Sequence, residues 1–215
     1  LIAIGSTTNS IYDGLSVRDV EFNDPDAGDD LVQGIWLYRN VDAVLSKAVV
    51  SNLTGNASYV GQKLRNLRTR GITLGGNVRV TVVDAQVRNV EQGIDLTGSD
   101  GNRQCSVLGG RTLQCGGGGV KLANSAVGCR VEGHFAERIG MYGFLASGPA
   151  EAGLRCKTQS CDFIRCTAID AGYNHISFAD PSGFQVRTGD YDRDFPKAIR
   201  FIGCNAVVPQ AGEAK

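Results

Sequence analysis

The chain of 215 residues carries 22 basic and 22 acidic side chains, so its formal net charge is zero. This balance argues against nucleic acid or an anionic membrane surface as a partner. No apolar run approaches the roughly 18 residues that a membrane span needs, so we expect no membrane insertion. The 29 glycines are about twice the average share of roughly 7% and predict many tight turns.

A four-residue phrase recurs along the chain, after an opening stretch, LIAI, that already has the alternation of a strand. The second and fourth residues of each phrase are apolar and the third varies, which is the period-two pattern of a half-buried strand. The phrases are GIWL from Gly34, GITL from Gly71, GIDL from Gly93, GVKL from Gly119, GFLA from Gly143, HISF from His175 and AIRF from Ala198.

Further strands recur between the phrases. AVVSNL from Ala48 matches AQVRNV from Ala85, and Cys105, Cys129 and Cys161 each precede a phrase by the same distance. The repeat of about 23 residues has no helical segment and no leucine-asparagine ladder, and it is too short for a propeller blade. We therefore predict an all-β fold, a single-stranded right-handed parallel β-helix of about seven to eight coils, as one domain over residues 1–215.

Seven cysteines leave at least one thiol unpaired within the chain. Their spacings do not match a zinc site, and the glycine run 116–119 lacks the lysine of a phosphate loop, so we predict no metal and no cofactor. Stacking places Cys105, Cys129 and Cys161 in one inward column, with Phe184 as its next member. Reduced, buried thiols are the prediction, although stacked neighbours could also approach disulfide geometry.

Three insertions interrupt the repeat, at residues 24–33, 54–70 and 148–158. Insertions on one side of a solenoid commonly build its binding surface. The first is acidic and the second is basic, and both leave the same corner on adjacent coils, beside the outward-facing Trp36. Asp95 is expected two coils further along the same face.

These residues suggest a carbohydrate groove with an aromatic platform, acids for catalysis and cations for acidic sugars. The alternative is a pair of loops clamped by surface ion pairs, with Trp36 covered. The candidate catalytic residues are Asp29, Asp30 and Asp95, and the candidate substrate-binding residues are Trp36, Tyr59, Arg68, Arg70 and Lys121. Asp190, Asp192 and Asp194 form a second acidic candidate, for carboxylate chemistry or calcium, or simply a solvated loop.

Coils of this kind, as in VRNVEQGIDLTGS, resemble the pectate-lyase-like right-handed β-helix superfamily, which includes pectate lyases, polygalacturonases, alginate epimerases and bacteriophage tailspikes. The GDD at residues 28–30 is similar to the paired aspartates of polygalacturonases, but their companion motifs are not at compatible positions. The chain is most similar to tailspike and depolymerase β-helices, whose sites share no common motif.

That resemblance implies a phage tailspike or related virion adhesin that binds, and in some cases cleaves, a bacterial surface polysaccharide. It further implies a homotrimer, contacts with other virion proteins, folding in the host cytoplasm and a place in the virion tail. Unpaired cysteines agree with folding in a reducing compartment. Two other hypotheses remain: a free microbial polysaccharide lyase, hydrolase or epimerase, and a structural rod without catalysis.

Overall fold

The computed structural model describes residues 2–21, 32–54, 69–97, 100–148, 157–172, 182–187 and 195–207. Their regular structure consists of short β-strands. In chain order these are β1 (Ile2–Gly5), β2 (Ile11–Asp13), β3 (Ser16–Glu21), β4 (Val32–Tyr38), β5 (Val44–Ser46), β6 (Val49–Thr54), β7 (Thr69–Gly75), β8 (Thr81–Val83), β9 (Gln86–Arg88), β10 (Gln92–Leu96), β11 (Ser106–Leu108), β12 (Arg111–Leu113), β13 (Gly118–Leu122), β14 (Arg130–Glu132), β15 (Phe135–Ile139), β16 (Tyr142–Ser147), β17 (Asp162–Ile164), β18 (Thr167–Ala171), β19 (Ser182–Arg187), β20 (Arg200–Ile202) and β21 (Asn205–Val207).

The strands form three parallel sheets of seven strands each. Sheet 1 has the order β1-β4-β7-β10-β13-β16-β19, sheet 2 runs from β2 to β20, and sheet 3 runs from β3 to β21, each taking every third strand. Three consecutive strands therefore make one coil, from coil 1 (β1–β3) to coil 7 (β19–β21). The fold is a right-handed parallel β-helix of about seven coils, which confirms the predicted fold class.

The recurring phrase forms sheet 1. Ile35, Ile72 and Ile94 are paired across adjacent strands, as are Leu37, Leu74 and Leu96, and all six are fully buried in the core. The opening stretch is also in register, since Ile2 pairs with Ile35. Inward side chains at alternate positions thus stack on their own kind from coil to coil, so one sequence pattern serves every coil.

The glycine that opens the phrase is required by a close approach between sheets 1 and 3. A Cβ on Gly93 would lie 2.4 Å from the carbonyl oxygen of Gly119 and 2.6 Å from Cγ2 of Thr112. Gly71 is equally constrained, because its Cβ would lie 2.2 Å from Cγ1 of Val87. Only glycine leaves room here for the neighbouring coil and for the side chains of sheet 3.

An asparagine ladder stabilises the corner that follows sheet 1. Asn77 donates from Nδ2 to the carbonyl of Leu37 at 2.9 Å, and its Oδ1 accepts the Asn40 backbone N–H at 2.9 Å. Asn102 donates in the same way to Leu74. Asn40, Asn77 and Asn102 are fully buried, so the ladder satisfies backbone groups that the turn leaves unpaired. The sequence analysis did not find this ladder.

All the thiols in the described residues are free, and five of the six form two inward columns, with Cys115 buried apart from them. Cys105, Cys129 and Cys161 stack in the predicted column, and each is at most 1% exposed. This agrees with the expectation of buried, reduced cysteines.

The second column contains Cys166 and Cys204, whose side chains lie in neighbouring coils, and His134 in the coil before. His134 donates from Nδ1 to the Gly109 carbonyl at 2.8 Å, and burial lowers its pKa to about 4. The buried imidazole is therefore neutral and structural.

The last two coils differ from the predicted register. HISF at 175–178 lies outside the described residues, and sheet 1 instead continues with β19, in which Phe184 pairs with Phe144. The strand in AIRF belongs to sheet 2, where Phe201 pairs with Phe163. Phe184 is therefore not the next member of the column of Cys105, Cys129 and Cys161. Ile199, which immediately precedes β20, takes that position. The insertions lengthen these coils. The residue spacing of the earlier phrases therefore does not identify GFQV, from Gly183, as the next strand of sheet 1.

Candidate functional site

The outward face of sheet 1 is polar and, in its middle, almost closed to solvent. Trp36, Thr73, Asp95 and Lys121 are paired along one outward row of β4, β7, β10 and β13. Trp36 and Lys121 are partly exposed, whereas Thr73 is 3% and Asp95 is 1% exposed. The prediction that this row is solvent-exposed is thus wrong at its centre, where charged and polar groups are buried on the outside of the helix.

Asp95 forms an ion pair with Arg70. The Arg70 Nη1 and Asp95 Oδ2 atoms are 3.3 Å apart, and the Arg70 side chain is 19% exposed. Within the described part of the chain, Asp95 Oδ1, Arg70 Nε and Thr73 Oγ1 are buried without hydrogen-bond partners. Buried polar atoms without partners are costly, so these atoms are groups that water or a polar ligand would stabilise.

Tyr142 covers the outward face of sheet 1 at β13, the strand next to β10. Its ring lies over Gly118, where a Cβ would come within 2.2 Å of the ring, and its hydroxyl donates to Gln92 Oε1 at 2.8 Å. Tyr142 and Gln92 are each 1% exposed. Burial raises the pKa of Tyr142, and the nearby negative charge of Asp95 raises it further, so the phenol stays neutral.

A second carboxyl group, that of Glu91, borders this cluster. Burial raises the pKa of Glu91 to about 7, and its Oε1 has no hydrogen-bond partner among the described residues. The side chain packs on Gly116, where a Cβ would lie 2.8 Å from Oε2. At neutral pH Glu91 is therefore poised between its protonated and ionised forms, while Asp95 faces a fixed cation. Two carboxyls in such different surroundings are suited to acid–base chemistry.

An open aromatic cleft of about 250 Å³ continues from this cluster, and its lining includes Arg70 and Thr73. Trp36 and Tyr38 have ring centroids 5.1 Å apart, and both rings lean over Gly75, where a Cβ would lie 3.6 Å from Trp36 and 3.8 Å from Tyr38. The Arg39 guanidinium lies 4.7 Å from the centroid of the Tyr38 ring.

An ion pair of two exposed residues stands at the edge of this aromatic cleft. The Nη2 atom of Arg39 is 2.6 Å from Oδ2 of Asp100. Together with the rings, the pair gives the cleft an apolar floor and a rim of charged hydrogen-bonding groups.

The structure brings together some of the predicted site residues. Trp36, Arg70 and Asp95 lie on one face of sheet 1, and Lys121 pairs with Asp95 at the backbone level. Arg70, predicted in a loop, belongs to β7. Asp29, Asp30, Tyr59 and Arg68, like Asp190, Asp192 and Asp194, lie outside the described residues.

Sequence reasoning missed Tyr38, Glu91, Gln92, Asp100 and Tyr142. Gln92 and Tyr142 immediately precede the glycine of their phrases and share the parity of the inward residues Ile94 and Phe144, so strict alternation would place them in the core. The strand period therefore carried no signal for their position on the outward face. Tyr38 occupies the next outward position after Trp36 in β4. Glu91 and Asp100 lie outside strands, so the strand period carried no signal for them.

The fold and this face together define a parallel β-helix protein with a polar cleft on one sheet. No protein-family model matches the chain, and no curated protein matches it either. The described residues contain no helix long and apolar enough to cross a membrane.

Proposed function

We propose that this chain is the β-helical domain of a phage tailspike or related virion adhesin, and that it binds a bacterial surface polysaccharide. The observation that carries the proposal is the cleft in which Trp36 and Tyr38 lie side by side, partly exposed, within a rim of charged groups. Aromatic rings give sugar faces an apolar platform, while fixed polar groups at the rim orient the hydroxyls.

The charged groups of the cleft support recognition of a polysaccharide by hydrogen bonds. Arg39 and Arg70 both line the cleft, and each guanidinium has more N–H groups than its ion pair with Asp100 or Asp95 uses, so it can also donate to sugar oxygens. The exposed carboxylate of Asp100 offers an acceptor for sugar hydroxyls. In this proposal the protein acts as a homotrimer with other virion proteins, which sedimentation of the full-length protein would test.

Because Trp36 is the only tryptophan of the chain, its fluorescence reports on the cleft alone. An array of bacterial capsular and O-antigen polysaccharides would identify a bound glycan, and titration with that glycan should change the Trp36 emission. We expect Trp36→Ala to weaken the binding at least about tenfold, a loss of about 1.4 kcal/mol, without changing the circular dichroism of the fold.

Two matched double variants separate the cleft from general surface charge. Arg39→Ala with Asp100→Ala removes an exposed ion pair in the cleft, and Arg79→Ala with Asp42→Ala removes an exposed ion pair away from it. Only the first should weaken glycan binding. Binding that is unchanged in the first double variant and in Trp36→Ala would exclude the cleft and favour a purely structural rod.

Cleavage of the bound glycan is a second candidate function, favoured by the buried carboxyl groups of Glu91 and Asp95. A carboxyl whose pKa is near 7 is suited to donate a proton to a leaving sugar oxygen, while a carboxylate held by Arg70 accepts or stabilises charge. Glu91→Gln and Asp95→Asn should then each abolish the release of reducing ends or of unsaturated uronates. If neither product forms with a glycan that binds, the protein is an adhesin only.

A further inference from the structure

A second groove, which we call the basic groove, lies beyond the corner that follows sheet 1. It measures about 420 Å³ and is lined by Arg103, Val127, Lys157, Thr158, Gln159 and Lys197. Arg103, Val127, Gln159 and Lys197 are successive members of one ladder of parallel bridges, so they stack from coil 4 to coil 7. The spacing from Arg103 to Lys197 is three coils, roughly 14 Å.

The three cations of the basic groove are exposed, and within the described residues none of them pairs with a carboxylate. Five other exposed arginines each pair with an aspartate or glutamate: Arg39, Arg79, Arg130, Arg165 and Arg200. Four more exposed arginines have no such ion pair within the described residues: Arg18, Arg88, Arg111 and Arg138. The cations of the basic groove differ from these four because they line one concave surface together. Asp100, three residues before Arg103, and Asp162, three residues after Gln159, are already bound to Arg39 and Arg200.

Backbone hydrogen bonds join the coils of the groove, so they set the spacing of the residues that carry its cations. Lys197 N–H donates to the Thr158 carbonyl at 3.0 Å, and Gln159 N–H donates to the Ala126 carbonyl at 2.9 Å. Thr158 is buried, with its hydroxyl bound to the carbonyl of Ser147 at 3.0 Å. A concave surface with one sign of charge on a fixed frame concentrates anions.

The basic groove and the aromatic cleft lie next to each other around the coil. Asp100 at the rim of the cleft is three residues before Arg103, and Trp36 in coil 2 is five coils from Lys197 in coil 7, roughly 24 Å along the axis. An extended chain that crosses this corner obliquely while it follows the helix axis would therefore meet first aromatic rings and then cations.

We propose that the basic groove binds the anionic groups of an acidic polysaccharide, as a second subsite for the chain that the cleft holds. The inference deepens the proposed function and rests on it for the identity of the ligand as a glycan. Lys157 and Lys197 contribute ammonium groups, Arg103 a guanidinium, and the exposed Gln159 amide is available to a sugar hydroxyl. Carboxylated and sulfated sugars share this chemistry.

Lysine acylation followed by mass spectrometry locates binding at the groove itself. The 215-residue chain is labelled alone and with hexagalacturonate, a heparin hexasaccharide, neutral maltohexaose or a single-stranded oligothymidylate of similar charge. We expect one or both acidic sugars to slow the acylation of Lys157 and Lys197 at least about threefold, as two-thirds occupancy would. Lys47, exposed at another corner, serves as the internal control and should be unaffected.

The source of the anion follows from which sugar protects: hexagalacturonate indicates a carboxylate and the heparin fragment a sulfate. The protection should weaken as salt is added, because the contacts are ionic.

Lys157→Glu with Lys197→Glu should abolish binding of the protecting sugar, whereas Lys47→Glu with Arg111→Glu, which makes the same change in net charge at exposed sites elsewhere, should preserve it. Protection by maltohexaose, stronger protection by oligothymidylate, or none by either acidic sugar would overturn the proposal.

Failure here is distinguishable from failure of the proposed function. Trp36→Ala should leave the protection of Lys157 and Lys197 by a short acidic sugar intact. If a glycan changes the Trp36 emission but does not protect the lysines, the cleft is supported as a binding site and the groove is excluded. If an acidic sugar protects the lysines but no glycan changes the Trp36 emission, the groove is supported as an anion site and the cleft is excluded.

Discussion

Two buried groups show how residue environment, rather than residue type, sets the chemistry of this protein. His134 is fully enclosed, and because its Nδ1 donates to a carbonyl, its Nε2 is left to accept the Thr112 hydroxyl at 3.4 Å. Such a histidine has no proton to offer at neutral pH. Glu91 is partly buried and forms no ion pair within the described residues, and its carboxyl group changes protonation near pH 7.

Glu91 should make the stability of the fold depend on pH. Its pKa of about 7 in the folded state exceeds the ordinary value of 4.5, so the folded state holds the proton more tightly than the unfolded state. The stabilisation is therefore complete below about pH 4.5 and is lost as the pH rises through 7. We expect Glu91→Gln to lack this loss.

Urea denaturation of both proteins from pH 4 to 8 measures the effect. The wild type should lose up to about 3 kcal/mol of unfolding free energy relative to Glu91→Gln across that range, at about 1.4 kcal/mol per pKa unit. Comparing the two proteins cancels the opposite contribution of His134, whose lowered pKa destabilises the fold on acidification. A difference that does not vary with pH would contradict the burial of the Glu91 carboxyl.

At the scale of the element, the strands are held by two devices that repeat from coil to coil. The glycine column lets sheet 1 approach sheet 3, and the buried asparagine ladder closes the following corner. The corners on the outside of the β-helix accept more residue types. Many of their residues with positive φ are Asn, Asp, Arg or Lys and not glycine, so the residue type at these corners varies from coil to coil.

Gly93→Ala should destabilise the fold by about 1–3 kcal/mol, because the new methyl group has to displace the Gly119 carbonyl and the Thr112 side chain. Gly133→Asn is the matched control. Gly133 has φ +63°, nothing within 4 Å of its Cβ position, and Asp84 and Arg165 at the equivalent corners of other coils, so we expect a cost below about 1 kcal/mol. Equal midpoints of denaturation for both variants would contradict the close approach of the sheets.

Asn77→Ala should cost roughly 2–4 kcal/mol, because it removes a buried hydrogen bond to the Leu37 carbonyl and takes away the acceptor of the buried Asn40 N–H. Asn205→Ala, at an exposed position of β21, removes the same side-chain atoms and should change stability by less than about 0.5 kcal/mol. Chemical denaturation of the two variants tests the ladder, which would be dispensable if their stabilities were alike.

At the scale of the whole molecule, each coil packs against only its two neighbours, as in other solenoids. The core is accordingly a set of columns along the axis instead of a central cluster. In coil 7 of this chain, the residues of β20 and β21 are exposed, including Phe201 and Val207, whereas Val107 in coil 4 is fully buried. Stability should therefore differ along the axis.

Hydrogen exchange tests this with two amides at equivalent places in their coils. Ser106 N–H donates to Val80 at 2.9 Å in coil 4, and Arg200 N–H donates to Cys161 at 3.0 Å in coil 7. Because coil 7 opens without disturbing the coils before it, we expect the Ser106 amide to exchange at least roughly 100-fold more slowly. Similar rates would mean that the whole helix unfolds as one unit.

The sequence predicted the architecture because a parallel β-helix repeats its pattern at every coil. The phrases at Gly34, Gly71, Gly93, Gly119 and Gly143 lie on successive strands of sheet 1, as their spacing indicated. The register failed at Phe184 and at AIRF, where insertions of variable length separate the strands. The number of residues between two strands gives their separation along the chain. Strand pairing depends instead on which strand of the sheet has an unpaired edge.

The sequence by itself determined the period of the strands, the inward columns and the outward position of Trp36, because side chains alternate along an extended backbone. Only the tertiary structure decided that Asp95 is buried with Arg70, that Tyr142 covers Gly118 beside Gln92, and that the Glu91 carboxyl borders the same face. These residues come from four successive coils, and their burial and pKa values depend on side chains that stacking brings together from distant parts of the chain.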